Sequence, residues 1–287
     1  MKYYLISTDH LTEKIWFQDD EDFKTGMNLV AVAVFVCNTR ILDFILMSNH
    51  VHFVVRCTLE QARQFIDYFK LLYGKYMRVR YGYEHFLRHN DVDIREIDSF
   101  GEGVERVIAY SQMNCVSANI CVYPSQYPWG CGSLPFSQSP DEPGVSLGTL
   151  SVRAQRKLLH SKITLPPDYR VLSAGYISPA SYVAVQEVEA IFRTPKRLLY
   201  FLNNSSKAKI RMSEDAMPSF RDQVIASSVT DLCYSLFRKS SLQELSADQK
   251  AEMLRQLRYR FSADIAQLAR VTGIPYPEAC RLLDAFQ

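Results

Sequence analysis

His50 and His52 stand on either side of Val51. On an extended strand the side chains alternate, so both imidazoles point to one face, about 7 Å apart along the chain. Two neutral imidazoles placed in this way can converge on one divalent ion. Two half-exposed strand histidines would account for the same pair. Further along, Tyr110 and Asn114 lie four residues apart in a segment of helical pattern and share a face there. The Asn114 carboxamide oxygen can serve as a third metal ligand, and Tyr110 can present a phenol nucleophile to the same ion. For that pair in isolation a core tyrosine beside an exposed asparagine is the better account, because tyrosine occurs 17 times in the chain.

The elements that must position these residues can be read from periodicity. A short β-rich run at 2–7 is followed by an amphipathic helix over 20–38, opened by Asp19, Asp20, Glu21 and Asp22. Apolar runs at 41–47 and 50–56 flank Ser48 and Asn49, the pattern of a hairpin. Residues 59–80 carry Phe65, Phe69, Leu72 and Tyr76 at helical spacing. A further strand is expected within 86–94, and a helix over 103–118. The order β-α-β-β-α-β-α predicts an α+β fold: a ferredoxin-like antiparallel sheet with helices on one face. The stretch 133–148, crowded with Ser, Pro and Gly, reads as a linker. The expected organisation is a nuclease-like unit over 1–132, that linker, a mostly helical connecting region over 149–245, and a separate unit over 246–287. No internal repeat is visible.

Three motifs in order resemble those of the single-tyrosine transposases. Met47-Ser48-Asn49-His50-Val51-His52 followed by Phe53-Val54-Val55 is similar to that family's histidine–hydrophobe–histidine motif, with Ser48 where proline is usual. Tyr110-Ser111-Gln112-Met113-Asn114-Cys115-Val116-Ser117-Ala118 looks like the family's tyrosine helix, with Cys115 in place of a proline and Ser117 in place of a common arginine. Tyr127-Pro128-Trp129 resembles its Tyr-Pro-Trp tail. The REP-associated tyrosine transposases are the members most similar, and the resemblance spans roughly 1–133. The stretch 86–96 lacks the family's usual Trp-Gln-Arg-like strand. The resemblance implies a metal-assisted DNA strand transferase acting on single-stranded or hairpin DNA. His50, His52 and Asn114 would hold Mg²⁺ or Mn²⁺, and Tyr110 would form a 5′-phosphotyrosine link. Gln112 is a candidate for a further polar contact.

Residues 261–286 read as a helix-turn-helix, with a first helix from Ala263 to Arg270, a turn through Gly273 and a second helix from Pro275. Tyr276, Glu278 and Arg281 are expected to face outward, where Tyr276 and Arg281 could meet DNA. The preceding helix supplies Arg255, Arg258 and Arg260 for phosphates. Lys196, Arg197, Lys207, Lys209 and Arg211 form a basic cluster that fits a DNA backbone or a solvated face equally.

Composition narrows the classes. With 47% hydrophobic and 22% charged residues the chain is of globular type, and its net charge of +2 does not by itself mark a nucleic-acid binder. The longest apolar run, 29–37, falls far short of the roughly 20 residues that span a bilayer. The first residues turn polar at once, and the expected location is the cytoplasm. The seven cysteines contain no Cys-x-x-Cys pair, against a structural zinc site or a disulfide framework. No membrane partner is expected, and the reading leaves room for a homodimer. Two rivals remain: a non-catalytic DNA-binding regulator that uses only the helix-turn-helix, and a metal-dependent hydrolase of small phosphoesters. Tyr110 speaks against the first, and the lack of acidic ligands beside the histidines against the second.

Overall fold

The structure is a computed structural model that describes residues 1–8, 15–118, 120–137, 144–205, 222–261 and 263–284. Strand β1 (Lys2–Thr8) leads to helix α1 (Asp20–Val36). Asp19 caps α1 by accepting from the Asp22 amide at 3.1 Å, and three acids occupy the first turn, where the helix dipole favours them. The β-branched run Val30–Val34 remains helical because α1 is buried nearly all round and packing overrides propensity. Strands β2 (Arg40–Met47) and β3 (His50–Cys57) form the expected hairpin across Ser48 and Asn49. A Thr58–Gln61 capping box opens helix α2 (Leu59–Tyr81), and Gly82, at φ 72°, closes it in the left-handed conformation.

Strand β4 (Val92–Ile97) begins later than the expected 86–94. His85 takes a positive φ of 53°, and hydrogen bonds from Arg88 N to His85 O and from Asn90 N to Leu87 O close successive turns. Phe86 and Leu87 are therefore buried from turns, not from a strand. The helix expected over 103–118 is interrupted at Met113, giving α3 (Gly103–Gln112) and α4 (Asn114–Ser117).

The sheet order is β2-β3-β1-β4, with every neighbouring pair antiparallel. Its helices do not lie on one face, and the sequence expectation is corrected there. Tyr4, Ile6, Phe53 and Val55 join the core under α1 and α2, whereas Leu5, Val54 and Ile97 join Val104, Ile108 and Ala109 of α3 on the other side. The physical reason is that β1 and β3 carry apolar residues at consecutive positions, so both faces must be covered. On the α2 side Phe53 meets Phe65 and Phe69 edge-on, at ring distances of 5.0 and 5.4 Å.

The segment 144–205 adds to both cores. It contains β5 (Gly144–Ser146), α5 (Val152–Leu159), β6 (Arg170–Leu172), α6 (Val185–Phe192) and α7 (Pro195–Asn203). Leu147, Leu159, Val171 and Ile177 pack on the α1–α2 side, and Val188, Phe192, Leu198 and Phe201 pack on the α3 side. The β2 edge is covered by bridges from Ile45 to Gly130 and from Ile41 to Val183. A side chain at Gly130 would come within 2.8 Å of Phe44 O, so only glycine permits this approach.

A third apolar cluster is built by α8 (Asp222–Phe237), α9 (Ala247–Phe261), α10 (Ile265–Thr272) and α11 (Tyr276–Asp284). Gly273, at φ 69°, forms the turn between α10 and α11. These two helices start and end within a few residues of the expected pair, whose end at Phe286 lies outside the described residues. So do the middle of the 133–148 linker and Lys207, Lys209 and Arg211. Among the described residues no helix is long and apolar enough to cross a membrane. None of the seven cysteines is in a disulfide, and Cys57, Cys115, Cys131 and Cys233 are buried.

Candidate functional site

Alternation along β3 places His50 and His52 on the same face as Val54, which is the face covered by α3. Their rings lie 4.8 Å apart, near perpendicular, and both side chains are buried. Each is oriented through Nδ1. Asn49 Oδ1 lies 2.9 Å from His50 Nδ1, and since that oxygen only accepts, the contact fits the tautomer of His50 protonated at Nδ1. Ser7 Oγ lies 2.7 Å from His52 Nδ1, because β1 pairs with β3 in a register that sets Ser7 opposite His52. Sequence reasoning missed both supports.

Tyr110 sits near the end of α3, half-buried, with its ring 5.9 Å from that of His52. Asn114 is buried one residue past the helix break, and its Nδ2 donates to Tyr110 O at 3.1 Å and to Ser111 O at 3.0 Å. The side chain thus satisfies carbonyls at the end of α3 that have no helical donor, which is the local reason the break is tolerated. Its carboxamide oxygen takes no part in that cap. The fold therefore brings His50, His52 and Tyr110 together, with Asn114 tied to the backbone of Tyr110.

Gln112, expected as a polar contact, turns to the sheet and donates to Asp43 Oδ1 at 2.9 Å. A bulge between Ile41 and Asp43 sends both Leu42 and Asp43 towards α3. Asp43 is fully buried, with Cys131 Sγ at 3.3 Å, and burial pushes its carboxyl above the usual range. The Tyr127-Pro128-Trp129 segment is structural: Tyr127 Oη donates to Leu46 O at 2.7 Å, and Trp129 stacks on Phe23 at 4.9 Å.

Among the described residues no group of three or more His, Cys, Asp or Glu side chains could hold a metal, so a metal here needs the carboxamide and water beside the imidazoles. A cleft of about 820 Å³, walled in part by Lys24, Lys75, Arg80, Lys157 and His160, lies on the α1–α2 side, away from His52 and Tyr110.

The residues expected to meet DNA are spread over the C-terminal helices. Arg258 and Arg260 on α9 and Tyr276 and Arg281 on α11 are exposed, Glu278 is half-buried, and Arg255 pairs with Glu252 at 3.0 Å. In the basic cluster, Lys196 is exposed, but Arg197 is turned to α3, where it meets Glu105 at 3.0 Å and Glu102 at 3.5 Å.

No known family model matches the chain, and no curated protein matches it. Among solved structures the chain is similar to a REP-associated tyrosine transposase bound to a REP hairpin, at 10% identity and a TM-score of 0.37. That likeness covers 60% of this chain and 93% of the other, and it is a distant one.

Proposed function

We propose that this chain is a transposase-like DNA endonuclease and strand transferase, in which the Tyr110 oxygen attacks a phosphodiester of single-stranded or hairpin DNA. The observation that supports the reading best is the approach of the Tyr110 ring to His52, whose ring in turn meets that of His50. In the step envisaged, a bond forms between the phenol oxygen and phosphorus and the bond from phosphorus to the 3′ oxygen breaks. The phenol gives up its proton and the 3′ oxygen takes one, leaving a 5′-phosphotyrosine and a free 3′-OH. The reverse exchange with another 3′-OH rejoins a strand without ATP, because the phosphotyrosine keeps the ester bond energy.

The donor set fits a divalent ion: two imidazoles whose Nδ1 atoms are already engaged, and a carboxamide. His50, His52 and Asn114 would hold Mg²⁺ or Mn²⁺, which when bound would supply charge to the phosphate oxygens. Ser7 and Asn49 orient the imidazoles, and Asn114 holds the end of α3 so that Tyr110 faces His52. The α10–α11 pair would act as a helix-turn-helix that reads a paired segment, with Arg281 and Tyr276 towards base edges and Arg258 and Arg260 on phosphates.

The test is incubation of the protein with single-stranded hairpin DNA and Mn²⁺, followed by denaturing electrophoresis for a covalent adduct. Wild type should form it, and Tyr110→Phe should reduce it at least a thousandfold while leaving the unfolding transition unchanged, since one hydroxyl is lost. An adduct that persists in Tyr110→Phe would assign another nucleophile. DNA binding without any adduct in wild type would favour the regulator reading.

A further inference from the structure

The turn that leads into His50 is held from two directions. Ser48 O accepts from Trp16 N at 2.7 Å, while Ser48 Oγ donates to Asp222 Oδ2 at 2.5 Å. Asp222 belongs to α8, and its side chain is only 2% exposed. The same carboxylate accepts from Gln267 Nε2 at 2.8 Å and from Arg270 Nε and Nη2 at 2.6 and 3.1 Å, both on α10. The next residue, Gln223, donates through Nε2 to Phe17 O at 3.0 Å. Residues 16–17, the Ser48 turn, α8 and α10 are thereby joined in one polar knot. From Arg270 the hydrogen bonds run through Asp222 to Ser48, and one residue on Asn49 holds His50.

Placing a carboxylate where water cannot reach it is unfavourable unless donors surround it, and this one has four, including a two-point guanidinium contact. The apolar packing does not supply the same register. The cluster built by α8–α11 shares no member with either cluster around the sheet among the described residues. Apolar contacts tolerate sliding, whereas a fully donated carboxylate allows one arrangement.

We infer that Asp222 is a positioning residue that locks the C-terminal helices to the Ser48 turn and so sets the placement of His50. Where it concerns DNA cleavage this rests on the function proposed above; the mechanical link stands apart from it. Contacts made by the C-terminal helices are then felt at the histidine pair through a side chain that touches neither.

The experiment uses full-length protein with ¹³C-labelled histidine, the His50 and His52 signals being assigned with His50→Gln and His52→Gln. Arg270→Gln should shift or broaden the His50 Cε1–H resonance, and that effect should vanish when Ser48 is already replaced by alanine. Adduct formation on hairpin DNA with Mn²⁺ should fall about tenfold in Arg270→Gln and in Ser48→Ala, with no further fall in the double variant. A His50 resonance untouched by Arg270→Gln, or moved equally in both backgrounds, overturns the inference. If wild type forms no adduct, the proposed reaction fails but the resonance cycle still decides the link. Should Arg270→Gln melt the C-terminal helices, Ser48→Ala decides alone, because Asp222 keeps its other donors. Faster amide exchange across α10 in that variant supports the link, and unchanged exchange overturns it.

Discussion

Asp43 has no exposed surface, and its hydrogen-bond partners, Gln112 and Cys131, carry no positive charge. Burial raises its pKa above the usual carboxylate range, and hydrogen bonding pulls the other way without overcoming it. A folded-state pKa above the unfolded one means that the stabilising form is the neutral acid. Its contribution is complete below about pH 3.9 and is lost as pH climbs towards the raised folded value, at up to about 1.4 kcal/mol per unit. Asp43→Asn is neutral throughout and can still accept from Gln112. Urea unfolding should therefore show the Asn variant gaining on wild type as pH rises from about 4 to about 7. A constant difference over that range would mean that the carboxyl ionises normally in the folded protein. At this scale strand alternation made the shared face of His50 and His52 readable, whereas Tyr110, one tyrosine among 17, stood out only through the order of the motifs. The contacts of Ser7 with His52 and of Asp43 with Gln112 were not legible, because cross-strand register and a bulge make them and neither leaves a local pattern.

Helices α1 and α2 are keyed together by a second buried acid. Asp22, with no exposed surface, lies 2.6 Å from Arg80 Nη1 and 2.7 Å from Tyr76 Oη, and Arg80 also reaches Asp19 at 2.6 Å. Removing one partner of a buried pair leaves the other without compensation, so Arg80→Met should destabilise the fold by about 3 kcal/mol in chemical denaturation. Replacing both members, Asp22→Leu with Arg80→Met, should recover most of that loss. An Arg80→Met protein as stable as wild type would show that Tyr76, Tyr81 and the Gln18 amide satisfy Asp22 unaided. The acidic opening of α1 and the long apolar stripe of α2 made both helices readable. The break at Met113 was not, because the helical pattern runs on through Cys115 and Val116, and it is the Asn114 side chain that ends the ladder. The late start of β4 escaped for a related reason: Phe86 and Leu87 carry strand-like apolarity while buried from turns.

For the whole molecule the distribution of apolar clusters decides where the chain can be divided. The segment 144–205 supplies Leu159, Ile177, Phe192 and Phe201 to the cores on either side of the sheet, although its composition suggested only a linker and a helical connection. Periodicity marks a face as apolar but does not say which neighbour it meets, so this shared packing was not visible in advance. In contrast, Ile225, Leu232 and Cys233 of α8 are buried against Leu254, Leu257 and Leu268 of α9 and α10. Ending the chain after Ser246 would strip α8 of those partners and expose their apolar surface. Ending it after Ser205 would remove the third cluster as a unit and leave both sheet cores intact. The 1–205 protein should therefore unfold in one cooperative transition, whereas the 1–246 protein should aggregate at lower temperature, measured by light scattering during a thermal ramp. On DNA, the 1–205 protein should lose discrimination between hairpin and random single strands, yet still form the Tyr110 adduct. Its adduct rate should drop by the factor seen for Ser48→Ala, since both changes free the turn before His50 from Asp222. Full hairpin preference in the 1–205 protein would place recognition in the sheet unit and leave α8–α11 with a bracing role alone.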